Sequence, residues 1–195
     1  TQLERIHSFR CVIQLDHSAA PRNGVKLTAE LKDSISNLKR CSTCYSYEEK
    51  RQIYTFDFLL SDETTRAFKH FWTDALDLYT ALHKLAMLND LAVRGEIRKR
   101  FQSFISKGRF ASRLLEPQEE DRVFRFEQVR FHRQADVVDY VSLSDGEHQL
   151  VQILGTLCMI SEPNVLFLLD EPESHFNPQW RVQFISRVLG LPTVK

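Results

Sequence analysis

An α/β fold is predicted by three features of the 195-residue sequence. Three short segments alternate β-branched and aromatic residues at period two. One long segment carries apolar residues at spacings of three and four. Residues 137–195 then run strand, helix, continuous apolar stretch, helix, which predicts a partly parallel sheet.

The elements follow in order. Residues 9–15 and 53–60 are predicted strands. Ser61 and Asp62 are capping candidates for one long amphipathic helix over 64–91, marked by Phe68, Phe71, Trp72, Leu76, Tyr79 and Leu82. Gly95 interrupts that pattern, and Phe101, Phe104 and Ile105 resume it until Gly108. An acidic link at 118–121 leads to predicted strands at 123–131 and 137–143. Ser144 opens a helix carrying Leu150, Ile153, Leu154 and Leu157, which Pro163 and Asn164 break. The uninterrupted apolar run 165–169 is the pattern of a strand buried on both faces. A last helix follows Pro178. These elements predict a β-rich part at 1–60, a helical insertion at 61–116 and a final lobe at 117–195.

Composition removes several classes. The apolar content of 43 % and fourteen Phe are enough to bury a core, which argues against disorder. No segment approaches the roughly 20 apolar residues of a spanning helix, and four Cys are too few for a disulfide framework. A reducing cytoplasm is the expected compartment, with no membrane partner. The chain starts at Thr1 rather than Met, which suggests part of a larger polypeptide.

The formal net charge is +0, from 26 basic and 26 acidic residues, yet the charges are segregated. Residues 94–113 hold seven Lys or Arg against one acid. Residues 134–180 hold eight carboxylates and no Lys or Arg. Such a stretch calls for a metal ion or a partner's cations.

Two motifs carry chemistry. The run 165–169 ends in Asp170, Glu171 and Pro172. At the carboxyl end of an α/β strand, one carboxylate can hold Mg²⁺ through its water shell while the other polarises a water. The same pair also suits an ordinary strand-to-turn junction. Leu143-Ser144-Asp145-Gly146-Glu147-His148-Gln149 forms a capping box ahead of an apolar helix, which suffices as a local explanation. Its freed N–H groups, helix dipole and Ser144 hydroxyl would also suit a terminal phosphate, and Gly146 lets one approach closely.

In this order and at this spacing, the two motifs resemble the ABC-type ATPases, in which an LSGGQ-like signature precedes the Walker B strand. The resemblance covers residues 141–187 and implies an ABC-ATPase-like head with a mixed β-sheet and a helical insertion. It implies ATP and Mg²⁺ as cofactors. Asp170 would be the Mg²⁺-associated carboxylate and Glu171 the catalytic base. Ser144, Asp145, Gly146 and Glu147 would contact ATP held by the opposite protomer, with Asp145 standing where the family more commonly has Gly. Ser174, His175, Phe176 and Asn177 would form the loop that crosses the dimer interface.

The wording Glu173-Ser174-His175-Phe176-Asn177-Pro178 is similar to the soluble OLD, RecF and SMC-like branch. Within it the similarity is greatest to ATPases of bacterial anti-phage defence, such as the Septu-type and retron-associated PtuA proteins. That implies a nucleotide-gated homodimer, or higher oligomer, controlling a nuclease effector. A DNA-repair ATPase of SMC or RecF type and a scaffold that binds ATP without turnover are the competing classes. None of the six Gly is followed by Lys and then Ser or Thr, so the phosphate-binding loop is missing from these residues, as is the family's switch histidine.

Weaker signals remain. Cys41 and Cys44 are half of a zinc site at most, unless two protomers share one. The basic segment 94–113, with Phe101, Phe104 and Phe110, suits nucleic-acid backbone or a solvated helix face. His148 could touch nucleotide or simply occupy an exposed first turn.

Overall fold

The computed structural model describes residues 3–16, 26–92, 99, 102–103, 105–106, 122–160 and 164–191. It is mixed α/β with a five-stranded antiparallel sheet and, among the described residues, five α-helices. The partly parallel sheet predicted from the last third of the chain is not formed there, because residues 165–169 pair with no strand. Strand β1 is Leu3–Gln14, β2 Cys44–Glu48, β3 Ile53–Leu59, β4 Phe124–Arg133 and β5 Asp136–Asp139. Their order across the sheet is β2-β3-β1-β4-β5. Among the described residues no helix is long and apolar enough to cross a membrane.

The chain divides into two compact units. One is the continuous stretch Ile6–Val129; the other joins Thr1–Arg5 to Arg130–Lys195.

In the first unit, β1 and β3 pair antiparallel with Cys11 opposite Phe56 and Phe9 opposite Phe58. Period-two alternation puts Phe9, Cys11, Ile13, Tyr54, Phe56 and Phe58 on one face, and these residues build the core. The rings of Phe9 and Phe58 stack at 4.3 Å. On the other face Arg10 grips its register partner Asp57 through two hydrogen bonds of 2.7 and 3.0 Å.

Helix α1, Ala29–Cys41, covers the core with Leu31, Ile35 and Leu38, and Thr28 caps its start. Neither this helix nor β2 was anticipated, although the Thr28 cap and the spacing of Leu31, Ile35 and Leu38 are visible in the sequence. Cys41 closes α1 and is buried, whereas Cys44 opens β2 and is exposed.

The single helix predicted over 64–91 is two: α2, Asp62–Phe71, and α3, Ala75–Met87, followed by a 3-10 turn at Leu88–Ala92. Ser61 caps α2 as expected. The break comes from Asp74, whose carboxylate accepts from the Asp77 N–H at 2.7 Å, while the Asp77 carboxylate accepts from the Thr73 N–H at 3.1 Å. Short polar side chains that bond the backbone locally outcompete helix continuation. The basic segment 94–113 and the predicted helix through Phe101 and Phe104 lie almost wholly outside the described residues.

In the second unit, the β4–β5 hairpin pairs Arg130 with Asp139 and Arg133 with Asp136. Gln134 turns the chain in the left-handed region at φ 54. The predicted strand 137–143 is shorter than expected: β5 gives way to a 3-10 turn at Tyr140–Ser142, capped by Asp139. Helix α4, Asp145–Met159, and helix α5, Pro178–Leu189, form where the periodicity placed them. They share a small core of Leu150, Phe176 and Phe184.

Candidate functional site

Both chemistry-bearing motifs lie in the second unit. The capping box at the start of α4 is complete. The Ser144 hydroxyl accepts from the Glu147 N–H, and the Glu147 carboxylate accepts from the Ser144 N–H at 2.8 Å and from the Ser144 hydroxyl at 3.0 Å. Its other oxygen accepts from Arg133 Nη2 at 2.7 Å. Glu147 is buried, and its ion pair to Arg133 supplies the counter-charge that burial demands. Glu147 therefore acts on its surroundings through the Ser144 it fixes. Ser144 and Asp145 are exposed, and the first turn of the helix leaves the Asp145 N–H without an intrahelical acceptor.

Twenty-five residues later, the loop from Asp170 to Asn177 returns to this helix start. Gln149 bridges the two: its Nε2 donates to Ser174 Oγ at 3.4 Å, and its Oε1 accepts from the His175 N–H at 3.3 Å. Gly146 permits the approach, since a Cβ there would stand 2.6 Å from the His175 carbonyl oxygen. The surface of this glycine is thus occupied by the protein's own backbone. Arg181 holds the loop from the other side, its Nε donating to the Phe176 carbonyl at 3.2 Å and its Nη2 to the Ser174 carbonyl at 3.3 Å. Asn177 caps α5 by accepting from the Trp180 N–H at 2.9 Å, with Pro178 at the first helical position.

Asp170 and Glu171 are exposed, and among the described residues neither carboxylate has a hydrogen-bond or ion-pair partner. Glu171 sits in the left-handed region at φ 41, a costly conformation for a residue with a Cβ. Its carbonyl accepts from the Ser174 N–H at 3.1 Å and so starts the turn that carries Ser174 and His175 to Gln149. His175 is exposed, and the His148 ring lies 4.4 Å from that of Tyr140.

The predicted buried strand before these carboxylates is a correction. Residues 165–169 belong to no strand, and all five of their side chains are exposed. The composition is that of a central strand, but among the described residues no strand pairs with it.

Sequence reasoning therefore placed Ser144, Asp145, Gly146, Glu147, Ser174, His175 and Asn177 on two segments that the fold joins. It missed Arg133, Gln149 as the bridge, and Arg181. Gln149 lies within the quoted motif and could have been found; no spacing points to Arg133 or Arg181. Among the described residues no group of three or more His, Cys, Asp and Glu is arranged to hold a metal ion. No protein family matches the chain, and neither does any curated protein or solved structure.

Proposed function

We propose that these residues are the signature-bearing and carboxylate-bearing part of an ABC-type ATPase in which ATP is bridged between two protomers. What carries the proposal is the hydrogen-bonded junction of the Ser144–Gln149 helix start with the Ser174–His175 loop, directly after two carboxylates that have no partner among the described residues. Two motifs that resemble neighbouring parts of one ATPase head in sequence are also neighbours in space.

An exposed carboxylate free of protein partners suits a hydrated Mg²⁺, which keeps most of its waters and takes only one or two carboxylates, so Asp170 would hold it. The ion would neutralise phosphate charge when bound. Glu171 would accept the proton of the attacking water. Ser144 and the N-terminus of α4 would face a terminal phosphate from the opposite protomer, with Glu147 and Arg133 fixing the serine rather than touching nucleotide. The phosphate-cradling lysine would come from outside these residues. Closure on ATP and release after hydrolysis would switch an effector, a nuclease in the anti-phage branch that the sequence resembles. The cytoplasm is the proposed compartment.

The test uses the encoded polypeptide that unites these residues with a phosphate-binding loop. Glu171→Gln should lower ATP turnover by about 10²–10⁴-fold, the usual contribution of a general base, while the ATP-induced dimer persists in sedimentation. Wild-type turnover in that variant would remove Glu171 from the role. Ser144→Arg should abolish the ATP-induced dimer, and unchanged sedimentation with ATP would contradict the signature assignment.

A further inference from the structure

We propose that the cleft where α2 gives way to α3 binds a free α-amino acid with a large apolar side chain, its carboxylate held by Lys69 and its ammonium group by Asp74. The proposal stands on this cleft alone and is independent of the ATPase reading, because the cleft lies within Ile6–Val129 and the ATPase motifs do not.

The break between the two helices makes the cleft. Phe68, Lys69 and Trp72 recur at spacings of three and four along α2 and its C-cap, and Ala75 and Leu78 share a face of α3 at a spacing of three. Trp72 is extended at φ −127 and ψ 132, and Asp74 caps the next helix, so the chain turns between the two faces instead of running through as one rod. Together they line a cleft of about 600 Å³. Small-molecule sites have volumes of about 300–1,000 Å³. Trp72 belongs to the buried core of this unit, and Phe68 and Leu78 are partly buried against it. The apolar wall is therefore fixed by packing that does not depend on a ligand.

Charge identifies the ligand. Lys69 and Asp74 carry opposite charges on the lining of one cleft, yet they are not paired with each other, and neither has an ion-pair partner among the described residues. Nearby charges are already committed. Arg66 pairs with Glu63 at 3.2 Å, and the Asp77 carboxylate accepts from the Thr73 N–H at 3.1 Å. One oxygen of Asp74 accepts from the Asp77 N–H at 2.7 Å, which orients the carboxylate and leaves its other oxygen to meet a donor. An apolar wall flanked by one cation and one anion calls for a molecule with a carboxylate, an ammonium group and an apolar body. A free amino acid carries the two charges on one carbon and the body beside them.

Simpler ligands fit less well. A carboxylate without an amine would satisfy Lys69 and meet Asp74 as a like charge, and an amine without a carboxylate would face Lys69 in the same way. A neutral apolar molecule would shield both charged groups from water and pair with neither. An aromatic side chain suits the wall best, since aromatic rings pack favourably against the rings of Phe68 and Trp72.

The test is calorimetric titration of the intact protein at low ionic strength with L-phenylalanine, phenethylamine, 3-phenylpropanoate and glycine. Phenylalanine should bind saturably and at least about threefold more tightly than either single-charge analogue, the discrimination that a solvent-exposed ion pair supplies. Glycine, which lacks the apolar body, should bind at least about tenfold more weakly. Lys69→Gln should remove the preference for phenylalanine over phenethylamine. Asp74→Asn should remove the preference over 3-phenylpropanoate, and asparagine keeps the helix cap, so α3 is retained. The proposal is overturned by the absence of saturable binding of phenylalanine, by an analogue or glycine binding to the unsubstituted protein as tightly as phenylalanine, or by a preference that survives the matching substitution.

Discussion

Gly146 sits one residue before the buried Glu147 and directly beneath the His175 carbonyl, so its missing side chain is a packing requirement of the junction. Glycine inside a helix ordinarily costs about 0.5–1 kcal/mol relative to alanine. At Gly146 that gain is outweighed, because a Cβ 2.6 Å from a backbone oxygen cannot be relieved by a rotamer change. Overpacking of this kind costs about 1–3 kcal/mol. Gly146→Ala should therefore lower stability to urea by about 1–2 kcal/mol and loosen the Ser174–His175 loop. Gly155, on the same helix, has nothing within 4 Å of where its Cβ would stand. Gly155→Ala should raise stability by about 0.5–1 kcal/mol. Equal effects of the two substitutions would show that the His175 contact does not hold the junction.

At the scale of elements, one side chain does the work of a strand. Asn89, in the 3-10 turn after α3, donates to the Phe124 carbonyl at 2.9 Å and accepts from the Phe124 N–H at 2.9 Å. The start of β4 is thereby paired to the helical layer by an amide that mimics a backbone ladder. Asn89→Ala leaves both groups of a buried residue unmatched, and should cost about 2 kcal/mol or more in chemical denaturation. Asn37 makes a bond of 3.5 Å to the Phe71 carbonyl, at the limit of useful geometry. Asn37→Ala should therefore cost less than about 1 kcal/mol. Comparable losses would place the weight elsewhere in the layer.

Such contacts also mark what could be read from the sequence. The capping box at Ser144, the cap at Ser61 and the period-two strands are local, and each was visible as a spacing of residue types. The joining of Gln149 to Ser174 and of Arg133 to Glu147 depends on chain reversal over long separations, for which no local pattern exists. Asp74 was legible as a cap in principle, yet the apolar spacing ran through it unbroken and hid the boundary between α2 and α3. The run 165–169 was misjudged for a different reason. Apolar composition states what environment a segment requires, and the environment itself is supplied by other segments.

The two compact units differ in how well they can hold themselves together. Among the described residues, the core within Ile6–Val129 gathers fourteen buried apolar side chains from β1, α1, β3, α2, α3 and β4 and the residues beside them. The other unit orders α4 and α5 around Leu150, Phe176 and Phe184, with Ile153, Leu154, Trp180 and Val188 partly buried against them. Each fully buried side chain contributes about 1.5–3 kcal/mol, whereas fixing one residue's backbone costs about 1–2 kcal/mol. Two helices held by so few buried groups open locally long before a fourteen-residue core does. Native-state hydrogen exchange should accordingly show amides of α4 and α5 exchanging at least about tenfold faster than those of β1, α1 and β3, a gap of at least about 1.4 kcal/mol in opening free energy. Uniform protection across both units would mean that they unfold as one cooperative body. The same asymmetry gives the proposed ATPase a physical route for switching, since the unit that carries Ser144, Asp170 and Glu171 is the one whose stability a bound partner or nucleotide can most readily change.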